Sequence, residues 1–254
     1  MTEAVIGALF GLLIGSFLNV CIYRWPRDQS VVRPRSACPE CAAQIAWYDN
    51  IPVLSYAILH ARCRKCGTSI HWRYPVVELL TAVAFAWFAG HYGLSLAAAK
   101  YCIFSAILIA LVFTDLETLL LPDQLTIGGL VIGLAFAASS RAAFLGAVYG
   151  AIIPAGAIWL GGWLFEKIRH KQGLGFGDVK MLAMIGAFLG LYGTLLTIIV
   201  GSLAGSIIGL AYIAIARKDP ATHQLPFGSF LGAAALFTAI TGQGVIQWYT
   251  RLIR

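Results

Sequence analysis

Residues 4–23 form twenty consecutive positions without one charged side chain. A helix needs about 20 such residues to cross a bilayer, and a backbone in lipid must satisfy its own hydrogen bonds. Apolar runs follow at 75–90, 98–114, 125–138, 143–165 and 227–247, with Glu78 and Lys100 as the charges within them. The stretch 180–216 is too long for one crossing, and Gly190 and Gly193 mark a place for it to break in two. The fold expected is an all-α polytopic membrane protein of eight transmembrane helices. Composition agrees: 11% of residues are charged, against about 25% in a soluble domain. Only Met1, Thr2 and Glu3 precede the first run, with no basic n-region, so it reads as a retained span.

Charge sets the orientation. The long polar segment 24–74 holds eight Lys and Arg residues. The loop 166–180 adds Lys167, Arg169, Lys171 and Lys180, and the loop 217–226 adds Arg217 and Lys218. An even number of spans separates these loops, so the positive-inside rule puts them in the cytoplasm and both termini outside. A seven-span reading, without the break at 190–193, would bring Arg251 and Arg254 inside. The net charge of +7 is thus spent on orientation, and no basic run suits nucleic acid. Gly7, Gly11 and Gly15, like Gly201 and Gly205, recur every four residues, a spacing that lets helices in lipid pack closely.

Six cysteines are present, and four form the pairs Cys38-Pro-Glu-Cys41 and Cys63-Arg-Lys-Cys66, 21 residues apart. Two such turns can offer four thiolates to one tetrahedral zinc ion. All four ligands would be used, so the metal would be a staple for a small cytoplasmic loop domain, not a catalyst. Disulfides are disfavoured in a cytoplasmic loop. Cys21 and Cys102 stand alone in apolar runs and read as small core residues. The chain then divides into a first transmembrane helix, 1–23, a zinc-binding loop domain, 24–74, and a transmembrane core, 75–254.

Two aspartates invite attention. Asp115 closes the third run, and Asp178 opens the sixth in Gly175-Phe176-Gly177-Asp178. Both fall at the same expected membrane face. Two carboxyls brought together share one proton and can act as acid and base on a peptide bond. Asp178 serves equally well as a helix N-cap, a position where Asp is favoured. Asp123, after Pro122, is the best capping candidate near Asp115, and Glu117 reads as solvated. Lys180 either marks the interface or favours ionisation of Asp178.

Several stretches, in order, resemble the bacterial prepilin leader peptidases. They are Gly15-Ser16-Phe17-Leu18-Asn19-Val20, the paired cysteines, Trp47-Tyr48-Asp49-Asn50-Ile51-Pro52, and Arg73-Tyr74-Pro75 with Glu78. The Asp115 segment through Pro122-Asp123 and the Gly-x-Gly-Asp motif at Asp178 complete the set. The resemblance implies an intramembrane aspartyl protease of the bacterial inner membrane, with Asp115 and Asp178 as its catalytic pair. It implies a substrate: a type IV prepilin or type II secretion pseudopilin, a hydrophobic helix with a basic leader. The leader is cut on the cytoplasmic side, after a Gly and before a Phe-led helix. The large first loop with its four cysteines implies the bifunctional form, which also N-methylates the new terminus with S-adenosylmethionine. No Rossmann-type Gly-x-Gly-x-x-Gly unit offers a site for that donor. Asp49, Asn50, Arg73 and Glu78 could bind it, or merely cap, turn and pair. An ion-coupled transporter would need repeated spans and midplane charges, which the sequence lacks. A non-catalytic zinc-binding scaffold would explain the cysteines but not the aspartates.

Overall fold

The structure, a computed structural model, describes residues 1–170, 175–216 and 225–252. Lys171, Gly173, Leu174, Arg217, Lys218 and Arg254, which entered the loop, charge and motif readings, lie outside the described residues. Among the described residues the regular structure is helical, with two isolated β-bridges and no strand. The helices are α1 (Thr2–Arg24), α2 (Leu54–Ile58), α3 (Arg73–Tyr92), α4 (Leu96–Thr118) and α5 (Asp123–Ala137). They continue with α6 (Arg141–Arg169), α7 (Phe176–Ala216) and α8 (Phe227–Leu252). Among the described residues, four helical stretches are long and apolar enough to cross a membrane: Thr2–Arg27, Leu96–Thr118, Arg141–Arg169 and Phe176–Tyr212. The 15 residues of α5 rise only about 22 Å, short of the roughly 30 Å hydrocarbon core.

The chain forms two compact units, Met1–Ala110 and Leu111–Arg254, with the boundary inside α4. In the first unit α1 lies on α3 through its glycine ladder. A Cβ on Gly7 would stand 2.6 Å from the Phe85 carbonyl oxygen, one on Gly11 2.6 Å from Ala82 Cα, and one on Gly15 2.6 Å from Glu78 Cα. Backbone therefore touches backbone, the close approach that small residues at every fourth position permit. Phe88, Tyr92 and Tyr101 then stack between α3 and α4, with ring centroids 5.2–5.3 Å apart for the two pairs with Tyr101.

In the second unit α7 is the centre, packed against α5, α6 and α8. Its first half carries Met181, Met184 and Ile185, all fully buried. The break expected at Gly190 or Gly193 falls at Gly190, whose φ of 70° and ψ of −177° interrupt the helix. Such a conformation costs glycine least. Thr194 Oγ1 donates to the carbonyl freed at Gly190, at 2.8 Å. Past the break, Gly201 and Gly205 face Leu231 and Phe230 of α8. One expected boundary moves. The third run does not end at Asp115: α4 continues to Thr118, and Leu119, at φ 55°, turns the chain. Asp115 therefore sits about one turn inside the helix, where its side chain is directed by neighbouring helices rather than by a loop.

The ladder predicts an asymmetry among glycines. Gly11→Val should lower the melting temperature of the purified protein, by the 1–3 kcal/mol or so of an overpacked contact. Gly128→Ala, where an added Cβ meets nothing within 4 Å, should be neutral or slightly stabilising. Equal melting temperatures for the two variants would contradict the packing described.

Candidate active site and metal centre

Asp115 is 5% exposed. A carboxyl so placed in an apolar helix needs hydrogen-bond partners, and α8 supplies them. The Ser229 backbone N–H donates to Asp115 Oδ2 at 2.6 Å, and Ser229 Oγ lies 2.9 Å from the same oxygen. The Ser229 hydroxyl also reaches the Val112 carbonyl at 3.0 Å. The first N–H groups of a helix have no full intrahelical acceptor, so the Ser229 N–H, which also reaches the Pro226 carbonyl at 3.2 Å, makes its shorter bond to Asp115. Ser229 was not singled out in the sequence. Its only local signal is a small polar residue just after Pro226 at the head of an apolar run.

Asp178 is half-buried in the first turn of α7. It is not the N-cap. It stands three residues into the motif, and its carboxylate reaches back to the backbone of Gly175, the capping-box geometry. A Cβ on Gly175 would lie 3.4 Å from Asp178 Oδ2. Asp178 and Asp115 come to a shared neighbourhood around Leu121. Leu121 closes the ring between them: a Cβ on Gly177 would lie 3.2 Å from Leu121 Cβ, and a Cβ on Gly228 would lie 3.1 Å from both Leu121 Cδ1 and Asp115 Oδ2. Gly177 and Gly228 thus keep the surroundings of the two carboxyls open. Phe176, between the motif glycines, is exposed.

The neighbouring acids have other partners. Asp123 was expected to cap α5, yet its side chain makes no cap hydrogen bond, and Pro122 takes the N-cap position. Its carboxylate instead forms an ion pair with Lys180. Lys180 is accordingly committed to Asp123, one turn-end to another across the α5–α7 contact, rather than to Asp178. Its ammonium also lies 5.5 Å from the Phe176 ring centroid.

In the first unit the Sγ atoms of Cys38, Cys41, Cys63 and Cys66 all lie within 4.8 Å of one another, and Cys38 Sγ is 3.8 Å from Cys66 Sγ. Thiolates about 2.3 Å from one tetrahedral ion stand about 3.8 Å apart, so the set fits a metal such as zinc. The two turns are built alike. The Cys38 N–H donates to the Ala43 carbonyl and the Cys63 N–H to that of Thr68, while the Ala42 and Gly67 N–H groups return to the carbonyls of Cys38 and Cys63. Both return positions have positive φ, 55° at Ala42 and 71° at Gly67. Between the second pair, Arg64 grips Asp49 with Nε–Oδ2 at 2.8 Å and Nη2–Oδ1 at 2.6 Å. These hydrogen bonds hold the Asp49 carboxyl below the usual carboxylate range. Asp49 is therefore a brace for the second cysteine turn. Glu78 accepts from the Val53 N–H at 2.7 Å, fixing a residue at φ 60°.

Comparison with known proteins places these features. Residues 9–92 match the Bacterial Peptidase A24 N-terminal domain, and residues 102–210 match the Type IV leader peptidase family. A protein of Aeromonas hydrophila named prepilin leader peptidase/N-methyltransferase is 36% identical, over 95% of this chain and 91% of its own length. The chain belongs to the type IV leader peptidase family. A Pseudomonas aeruginosa protein of the same name is 34% identical over 95% of this chain and 91% of its own length. One from Myxococcus xanthus is 39% identical over 87% of this chain and 67% of its own. No solved structure matches. Membership and the long apolar helices together make this a multi-pass membrane protein, and they remove the transporter and scaffold alternatives.

The role of Ser229 is testable in a leader-removal assay. Ser229→Ala keeps the N–H donor and deletes the hydroxyl, a loss of about 1.5 kcal/mol for a bond to a carboxylate, or roughly tenfold in rate. Ser229→Thr should restore most of it. A Ser229→Ala enzyme as fast as the parent would show that the hydroxyl does not orient Asp115.

Proposed function

We infer that this chain is a bifunctional membrane enzyme that removes the leader peptide of type IV prepilins or pseudopilins and N-methylates the new terminal residue. The observation that carries the hydrolytic half is that Asp115 and Asp178 come from separate helices to the surroundings of one side chain: Gly177, next to Asp178, and Gly228, against Asp115 Oδ2, both abut Leu121. The relatives' shared name supports both halves.

In the proposed hydrolysis Asp115 and Asp178 share one proton. The ionised carboxyl takes a proton from water as the water oxygen bonds to the scissile carbonyl carbon. The other carboxyl gives its proton to the carbonyl oxygen. Collapse of that adduct breaks the C–N bond: the leaving amine takes up the proton held by the first carboxyl, and one hydroxyl of the adduct returns its proton to the second as the new carboxyl group forms. Ser229 keeps the Asp115 carboxyl in register, and Gly175 and Gly177 leave room for an extended peptide backbone. The substrate is a hydrophobic helix with a basic leader, met at the membrane edge.

The topology that suits this chemistry has eight spans, with α7 counted as two on either side of Gly190. Residues 24–74 and the catalytic face lie in the cytoplasm, and the enzyme in the bacterial inner membrane. The excess of Lys and Arg in that segment supports the orientation. Residues 1–23 serve as the first span, 24–74 as the metal-stapled domain and 75–254 as the peptidase core. Cys38, Cys41, Cys63 and Cys66 hold a structural zinc ion, which with four thiolates keeps no open position. S-adenosylmethionine is the methyl donor.

Asp115→Asn and Asp178→Asn should each abolish leader removal, read by product mass, in protein that still inserts and keeps its metal. Full cleavage by either variant would end the dyad assignment. Metal analysis of the purified enzyme should find about one zinc per chain on four-ligand stoichiometry. Cys66→Ser should lose it and lower the melting temperature; metal-free reduced protein of parental stability would refute the staple.

A further inference from the structure

The first unit contains a cavity that the dyad does not use. It measures about 320 Å³ and lies between α1 and the stretches 31–36 and 50–52. Its lining divides into two zones. Leu13, Phe17 and Val20 lead to Arg24 at helical spacing, so they form one stripe along α1. At the polar end Arg24 is joined by Arg35 from the loop. Two arginines and no carboxylate line the cavity. The stripe is a lipid-facing surface: α1 turns its glycine ladder to α3, while Leu13 and Phe17 are 61% and 49% exposed. Arg24 follows Leu13 by 11 positions, a rise of about 16 Å, which is half of the roughly 30 Å hydrocarbon core. The stripe therefore runs the depth of one leaflet and ends in positive charge at its surface.

The charged end is set before any ligand arrives. Arg24 Nη1 donates to the Ser30 carbonyl at 2.9 Å and Nη2 to the Pro34 carbonyl at 2.8 Å. These bonds fix the guanidinium at the cavity mouth and use only part of its donor set. Between residues 24 and 35 the chain carries Arg24, Arg27, Arg33 and Arg35 against a single acid, Asp28. A basic cluster directly after a membrane helix attracts anionic headgroups, and a guanidinium matches two phosphate oxygens at once. The loop side also presents apolar surface. Val32 lines the cavity and is 80% exposed. Trp47 and Trp72 are exposed as well, and tryptophan concentrates at the membrane–water interface.

We propose that this cavity holds one anionic phospholipid from the leaflet that borders segment 24–74. Its phosphate meets Arg24 and Arg35, and an acyl chain runs along Val20, Phe17 and Leu13. Orientation by positive charge needs only a count of Lys and Arg in the loop. It does not need an apolar stripe one leaflet deep that ends at two guanidiniums, and that arrangement selects a lipid by its charge. The proposed substrate is a poor occupant, because its basic leader is repelled by the same arginines. Bound there, the headgroup screens the four arginines from one another and ties the 24–35 loop to α1. The site requires that α1 lies in the membrane, and it is independent of the hydrolytic and methyl-transfer readings.

Native mass spectrometry of the purified full-length protein in neutral detergent, titrated with phosphatidylglycerol or phosphatidylcholine, tests the site. The parent should bind phosphatidylglycerol about tenfold more tightly than phosphatidylcholine. Arg35→Glu, at an exposed position, should abolish that preference while the melting temperature in lipid-free detergent stays parental. Should this variant fail to fold, Arg35→Gln removes the charge alone and reads the same preference. Val20→Trp fills the cavity, keeps both arginines, and should weaken phosphatidylglycerol about tenfold. Equal affinity of the parent for the two lipids would overturn the proposal. So would a parental preference in the folded Arg35 variant, or parental affinity in Val20→Trp. Displacement of the lipid by glycerol phosphate alone would mark a site for free anions, and displacement by an equimolar prepilin would mark a substrate groove; either result also overturns it.

Discussion

The buried carboxyl of Asp115 is the constraint around which the second unit is arranged. A charge-bearing group in an apolar helix is costly unless it finds donors. Its donors come from Ser229, 114 positions later in the chain. They are available because Ser229 occupies the first turn of α8, where backbone N–H groups still lack full intrahelical acceptors. The start of α8 reaches that place because α8 packs on α7 through Gly201 and Gly205, and α7 carries Asp178 at its opposite end. One set of helix contacts therefore sets the environment of both carboxyls. A reaction that depends on proton exchange between two such groups needs that rigidity, since small displacements are costly in rate.

The first unit solves a different problem. Residues 25–72 are too polar and too few to bury a core of their own, and they are held by point attachments. The cysteine turns repeat one backbone pattern around four converging sulfurs, with a positive φ at each return. Arg64, within the second turn, braces Asp49. Glu78 reaches from α3 to fix Val53. Arg24 ties the end of α1 to Ser30 and Pro34. These attachments stand where a soluble domain would have packed side chains, and they leave a cavity with preset walls.

Much of this was legible in the residues. Long apolar runs marked the helices, because lipid offers no alternative partner to the backbone. The four-residue glycine spacing marked α1 as a helix that packs closely, and Gly190 with Gly193 marked the break in α7, because the required conformation is nearly reserved for glycine. Other readings stopped at local rules. Asp123 has the sequence setting of a helix cap, but an ion pair with Lys180 competes for its carboxylate. Asp115 was placed at a helix end because the apolar run stops there, yet helical hydrogen bonding carries on to Thr118 before Leu119 turns.

By itself the amino-acid sequence determined which segments are apolar, which four thiols can share a metal, and which carboxyls border apolar runs, since each follows from composition or short-range spacing. Only the tertiary structure decided that Asp115 and Asp178 share the surroundings of Leu121, that Ser229 serves Asp115 and that Lys180 serves Asp123. It alone decided which polar groups of the first unit brace the loops and which face the cavity. These are contacts between residues far apart in the chain, and their geometry follows from how closely glycine-lined helices approach, a quantity that no local pattern carries.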